Sequence, residues 1–334
     1  MKNMTVLGAG TWGTALAIHL GRLGHRVRLW GRDQHLVADM IAGRRNPTYL
    51  PDVPFPKSVS LTGSLETALD RSDYVIAAVP SHGLRDVIRT LPPLVPVEAT
   101  IVSAVKGLEV GTLLRMSQVI EQELGHSRPI TVLSGPSFAV ELARQRLTAV
   151  LVAGDDAGAV DEVQQDFRAH YFRLYASDDV TGVEIGGALK NVVAIAVGVV
   201  EALDLGHNAL AAVTTRGLAE ISRLACAVGG RRDTLAGLSG LGDLILTCTG
   251  RLSRNRQLGL ELGKGRPLPE IVSGMKMVAE GVKTTGAALE LGARHGVELP
   301  IAAQMADVLA GRKEPRAAVE ELMLRRQRPE TDVG

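Results

Sequence analysis

Short β-branched and apolar runs recur along the first half of this 334-residue chain: MTVLG at 4–8, RVRLW at 26–30, SVSLT at 58–62, YVIAAV at 74–79, TIVSAV at 100–105, ITVLSG at 130–135, TAVLVAG at 148–154 and YFRLYAS at 171–177. Between them, helix-like stretches lie at 12–22, 64–70, 82–90, 112–124, 136–145 and 156–168. This alternation predicts an α/β unit with a mostly parallel sheet and helices on both faces. From about residue 180 the strand signal fades, and Ala-, Leu- and Gly-rich segments with helical spacing continue to about 325. The pattern therefore predicts a first domain over 1–180, an all-helical domain over 181–325 and a frayed, charged tail over 326–334.

The longest apolar run, VVAIAVGVV at 192–200, is bounded by Lys190 and Glu201. It falls far short of the roughly 20 residues that span a bilayer, so it reads as a core helix and no membrane insertion is expected. Lys and Arg number 37 against 36 Asp and Glu. No global charge invites nucleic acid, and an anionic ligand must be met by a local cluster. Cys226 and Cys248 lack metal or redox spacing and the histidines are scattered, so neither a disulfide framework nor a metal site is expected. The N-terminal apolar stretch is interrupted by glycines, unlike a signal peptide, and a reducing cytoplasm is the expected location.

Those glycines, Gly8, Gly10 and Gly13, stand in GAGTWGTA directly after the first predicted strand and before the first predicted helix. G-x-G-x-x-G in that context is a Rossmann-type dinucleotide fingerprint, with the pyrophosphate at a helix N-terminus. The second strand ends in LWGRD, where Arg32 suits a ribose 2′-phosphate and favours NADPH with NADH tolerated. A solvated charged loop would carry the same residues.

Ligands of open parallel sheets gather beyond the carboxyl ends of strands. Three segments fit. VPSHG at 79–83 offers Ser81 as a helix cap; KGLE places Lys106 just past a strand; SGPSF at 134–138 puts Gly135 at a close approach, Pro136 in the first turn of a helix and the Ser137 hydroxyl among backbone N–H donors. In VEIGGALKNVVAIAVG, Glu184, Gly187 and Asn191 follow helical spacing with Lys190 on an adjoining face. Two helical glycines cost stability, so something needs the room. A lysine beside so apolar a run is a candidate for desolvation and proton exchange with a carbonyl or alcohol oxygen, or a lysine that snorkels. GLSGLGDLILTCTG at 237–250 reads as a glycine-rich loop carrying Asp243, which could pair with Lys190 or bind a substrate hydroxyl. Arg251, Ser253, Arg254, Asn255 and Arg256 then form a donor cluster suited to a phosphate monoester, or a charged helix face capped by Ser253. Val278 and Glu280, in KMVAEGVKTT, could meet a nicotinamide or form a turn.

Together, GAGTWGTALA, LSGPSFAVE, ALKNVVAIA, GLGDLILTCTGRLSRNRQLG and VAEGVKT resemble, in order, the motifs of the bacterial NAD(P)-dependent glycerol-3-phosphate dehydrogenase family. The resemblance covers nearly the whole chain. It implies interconversion of dihydroxyacetone phosphate and sn-glycerol 3-phosphate, supplying phospholipid synthesis, with Lys190 exchanging the proton. It further implies substrate contacts at Lys106, Gly135, Ser137, Lys190, Asp243, Ser253, Arg254 and Asn255. Cofactor contacts are implied at Gly8, Gly10, Thr11, Trp12, Gly13, Arg32, Lys106, Ala139, Arg254, Val278 and Glu280. Thr11 stands where many relatives carry Ser, and both supply a hydroxyl. A hydroxy-acid dehydrogenase and a non-catalytic NADP(H) sensor are the competing readings. The apolar helices of the second domain are compatible with a homodimer.

Overall fold

The computed structural model describes residues 1–125, 128–275, 279–327 and 329–330. Among the described residues ten strands are present: β1 (Asn3–Leu7), β2 (Arg26–Trp30), β3 (Arg45–Asn46), β4 (Leu50–Pro54), β5 (Val59–Thr62), β6 (Tyr74–Ala77), β7 (Thr100–Ser103), β8 (Ile130–Ser134), β9 (Thr148–Gly154) and β10 (Phe172–Ser177). Each of the eight apolar runs forms a strand of one sheet, ordered β10-β9-β8-β7-β6-β1-β2-β5. All neighbouring pairs are parallel except β8 with β9. The order reverses at β1, which lies between β2 and β6, and such a switch point is where an open sheet binds ligands.

The β3–β4 hairpin and the helix Gln34–Gly43 were not anticipated. Asp33 caps that helix by accepting from the His35 and Leu36 backbone N–H groups. The helix ends on Arg44, in the left-handed region at φ 49°, whose guanidinium donates to the carbonyls of Pro56 and Val59. Four prolines between 47 and 56 hide the short strands behind a loop-like composition.

The chain divides into two compact units: 1–105 with 116–180, and 106–115 with 181–334. Each has its own core. Leu16, Ile18, Leu29, Ile76, Val102 and Phe172 are among the buried residues of the first. The second is built on the helix Val180–Ala202, whose stretch from Gly182 to Val200 is buried along its whole length. By length and composition that helix could cross a membrane, but its apolar window lies wholly inside the protein. Its glycines admit close neighbours: a Cβ on Gly186 would come within 2.9 Å of the Ser239 carbonyl oxygen, and one on Gly198 within 2.2 Å of that of Arg256. The room that the sequence demanded thus goes to the backbones of two adjoining segments.

Segment 106–115 is a tongue inserted from the first unit's sequence into the second unit. An isolated antiparallel bridge between Leu108 and Arg115 closes it, and Leu108 and Leu113 enter the helical core. Elsewhere in this unit Glu220, on the helix Gly206–Ala227, accepts the Ile301 and Ala302 backbone N–H groups at 2.7 and 3.4 Å. It thereby satisfies the open first turn of the helix Pro300–Leu309.

Candidate active site

The dinucleotide fingerprint folds as its glycines require. Gly8 has φ +112°, and a Cβ there would lie 2.8 Å from the Ala78 carbonyl oxygen; one on Gly13 would lie 1.9 Å from the Gly8 carbonyl oxygen. Gly10, by contrast, faces open space and precedes the helix Thr11–Arg22 without a side chain to cap it. The buried Trp12 indole N–H has no hydrogen-bond partner among the described residues. A turn closed on two sides and open at the helix N-terminus, with an unsatisfied donor nearby, fits a dinucleotide pyrophosphate. Asn46 fastens this turn from β3: its amide donates to the Ala9 carbonyl at 2.8 Å and to the Thr14 hydroxyl at 2.9 Å. At the end of β2, Arg32 is exposed, while the neighbouring Asp33 carboxylate is committed to its helix cap.

Other strand-end segments differ from the sequence reading. Ser81 begins a 3-10 turn, Ser81–Gly83, whose preceding position is Pro80, so it is no N-cap. The predicted helix 136–145 is the shorter Ala139–Ala143, with Phe138 at its N-cap position. Gly135, at φ +129°, bends the chain directly after β8, and the Ser137 hydroxyl donates back to its carbonyl at 2.9 Å. Pro136 therefore precedes the helix rather than opening it.

Lys190, Asp243 and Lys106 form the charged centre of the second unit. Lys190 is 7 % exposed and Asp243 1 %. The Lys190 ammonium donates to Asp243 Oδ1 and, at 3.0 Å, to the Thr247 hydroxyl; Lys106 donates to Asp243 Oδ2 at 2.6 Å. One carboxylate thus bridges two ammonium groups. Burial pulls Lys190 down to about 7; Asp243 opposes that pull and Lys106 adds to it. Asp243 does not sit in a loop. Leu238–Gly242 forms a wide π-helical turn, with the Gly242 N–H donating to the Gly237 carbonyl, and Asp243 opens the helix Asp243–Thr249. On that helix Thr247, one turn after Asp243, donates to the Asp243 carbonyl at 2.6 Å while receiving Lys190. Sequence reasoning passed over Thr247, although its i+4 spacing from Asp243 was the available signal.

The donor cluster at 251–256 separates into roles. Ser253 is the N-cap of the helix Arg254–Gly263, accepting from the Arg256 N–H. Arg256 pairs with Glu201 at 2.5 Å. Arg251 and Arg254 are exposed. Asn255 is buried, donating to the Asn191 amide oxygen at 2.9 Å and accepting from the Gly281 N–H at 3.0 Å. It ties the helix of Lys190 to the helix Glu280–Arg294, on whose first position Glu280 stands. Val278 lies outside the described residues. Burial pushes the Cys248 thiol up to about 12, leaving it poorly suited to nucleophilic chemistry. Among the described residues no cluster of three or more His, Cys, Asp or Glu could hold a metal ion.

Two family models cover the chain: the NAD-dependent glycerol-3-phosphate dehydrogenase N-terminus matches residues 3–160, and the corresponding C-terminus matches 179–320. The chain belongs to the NAD-dependent glycerol-3-phosphate dehydrogenase family. It is 51 % identical over 339 residues to the glycerol-3-phosphate dehydrogenase [NAD(P)+] of Acidobacterium capsulatum, covering 99 % of this chain and 100 % of that protein. With the enzyme of the same name from Koribacter versatilis it shares 50 % identity over 329 residues, covering 97 % and 98 %. Among solved structures, glycerol-3-phosphate dehydrogenase from Coxiella burnetii is similar with a TM-score of 0.94 at 40 % identity, covering 97 % of this chain and 99 % of that one. As a member of this family the chain is an NAD(P)-dependent oxidoreductase, which sets aside the sensor reading.

Proposed function

We propose that Lys190 exchanges the proton in the NAD(P)-linked interconversion of dihydroxyacetone phosphate and sn-glycerol 3-phosphate, the reaction that membership of this family assigns to the chain. The observation that carries the role is a buried ammonium held by Asp243 and Thr247, a setting in which burial draws its pKa down toward neutrality. In ketone reduction Lys190 donates its proton to the C2 oxygen; in alcohol oxidation the neutral amine accepts it. Asp243 and Thr247 fix the position of Nζ, and Asp243 balances the ammonium when it forms.

Bound NAD(P)H supplies the hydride chemistry, with Gly8, Gly10, Gly13 and Arg32 as its anchors. Because Asp33 is spent on a helix cap while Arg32 is exposed, NADPH is the preferred form. Arg254, exposed at the first position of its helix, takes the substrate phosphate together with Lys106, Ser253 and Asn255. A grip on the remote phosphate orients the carbonyl, so its loss should lower turnover as well as affinity. Two cysteines without a disulfide suit a cytoplasmic enzyme that supplies glycerol phosphate for phospholipid synthesis.

The test mixes purified protein with NADPH and either dihydroxyacetone phosphate or unphosphorylated dihydroxyacetone, following absorbance loss. Oxidation of NADPH with the phosphorylated ketone alone is expected. Lys190→Ala should bind NADPH normally and lose about 100-fold or more in turnover; near-normal turnover would remove Lys190 from the mechanism.

A further inference from the structure

One residue singled out by its spacing has no part in this chemistry. Glu184 lies six positions before Lys190 on the same helix and is only 5 % exposed. Arg115 Nη1 donates to its carboxylate at 2.6 Å. Arg115 is the last residue of the 106–115 tongue, and Lys106, which reaches Asp243, is the first. One end of the inserted segment is therefore attached by charge to the helix of Lys190 and the other to the carboxylate that holds Lys190.

Between those ends the tongue is internally braced. The Glu109 N–H donates to the Leu114 carbonyl at 3.0 Å and the Leu113 N–H to the Glu109 carbonyl at 2.9 Å. Leu113 adopts a left-handed φ of 64°, a strained setting for a branched side chain, and buries in the helical core beside Leu108. A buried carboxylate is costly to keep unless a defined partner meets it, and here that partner is the foot of the tongue.

We propose that the Arg115–Glu184 ion pair anchors the tongue on the helix of Lys190 and so sets the Lys106 ammonium against Asp243, making Arg115 and Glu184 positioning residues for proton transfer. This rests on the reading of Lys190 as the proton-exchanging group. Around Lys190 stand the Asp243 carboxylate, the Lys106 ammonium, the Thr247 hydroxyl and the Cys248 thiol. Lys106 discourages protonation of Lys190, and Asp243 encourages it.

Replacing Glu184 by glutamine deletes a negative charge, which by direct electrostatics weakens proton binding at Lys190. Freeing Lys106 from its post does the opposite. The sign of the change therefore separates the anchor from a simple field effect.

The experiment uses the full chain with 13Cε-labelled lysine, the Lys190 signal being identified by its loss in Lys190→Arg. Its titration is compared with the pH dependence of single-turnover reduction of dihydroxyacetone phosphate. In Glu184→Gln the titration should rise by about one pH unit. The same rise is expected in Arg115→Lys, which keeps the charge but shortens the reach and loses the planar fork. Lys106→Gln should reproduce it, and adding Glu184→Gln to that variant should change nothing further. An unmoved or lowered Lys190 titration in a variant with near-normal Tm overturns the proposal, as does full additivity with Lys106→Gln. If the titration rises while the pH dependence of the rate stays put, the anchor stands and Lys190 loses its catalytic role. Arg115→Lys decides the matter should Glu184→Gln fail to fold.

Discussion

A lysine that titrates at about 7 gives opposite pH profiles to the two directions of one reaction. Ketone reduction needs the ammonium, so its rate should fall as pH rises through that value; alcohol oxidation needs the amine and should climb through it. At pH 9 only about 1 % of such a group is protonated, so single-turnover reduction should lie roughly 100-fold below its low-pH plateau. An ordinary lysine, at 10.5, would still be about 97 % protonated there and lose almost nothing. The perturbation that tests the cause is Asp243→Asn. Asp243 holds the proton on Lys190 while Lys106 and burial drive it off, so removing the carboxylate should move the reduction limb below its wild-type position. Stopped-flow absorbance of NADPH, read between about pH 5.5 and 9.5, measures both limbs. A reduction rate flat to pH 9, or a limb that moves upward in Asp243→Asn, would refute the reasoning from burial and charge.

Three further outcomes follow from the geometry. Glu220 is raised from 4.5 to about 7, chiefly by burial and against the pull of two backbone N–H groups, so the folded state keeps a proton that the unfolded chain has lost. Its contribution is fully present below pH 4.5 and is lost as pH rises through about 7, a decline of roughly 3 kcal/mol; urea unfolding of Glu220→Gln should lack that decline, and an equal decline would reject the assignment. Gly13→Ala forces a Cβ to 1.9 Å from the Gly8 carbonyl oxygen, so NADPH fluorescence titration should show cofactor affinity down at least tenfold, and unaltered affinity would contradict the tight turn. Arg32→Asp should reverse the preference for NADPH over NADH in kcat/KM ratios, whereas an unchanged ratio would leave the 2′-phosphate without its partner.

The sheet was legible because each of its eight strands carries its own local apolar run, and the fingerprint because its three glycines sit within six residues. Lys190 and Asp243 were legible as residue types in suggestive settings and their pairing as one of two options for Asp243, but the contact spans 53 positions and no local pattern decides between the options. The same limit hid the partner of Glu184, which lies 69 residues away, and the helix end that Glu220 caps, 81 residues away. Asn255 reads as a phosphate donor because it stands among arginines; its bonds to Asn191 and Gly281 add a connecting task that composition does not show. The turn at Leu238–Gly242 looked like a loop because three of the six residues before Asp243 are glycine, whereas the i to i+5 bond that makes it helical belongs to the backbone.

The tongue also constrains how this gene can be cut and rejoined. The polypeptide passes between the two units three times, after residues 105, 115 and 180, so the junction near 180 is only the last of the crossings. A fragment beginning at 181 would carry Lys190 and Asp243 but leave Lys106 and the two leucines of its core on the other piece. Recombination that exchanged one partner's nucleotide-binding half for another's would bring a foreign tongue with it, and Asp243 would meet whatever residue that tongue presents. The two halves thus make a matched set, with ten residues from the first half of the sequence belonging to the second unit and two of their leucines in its core.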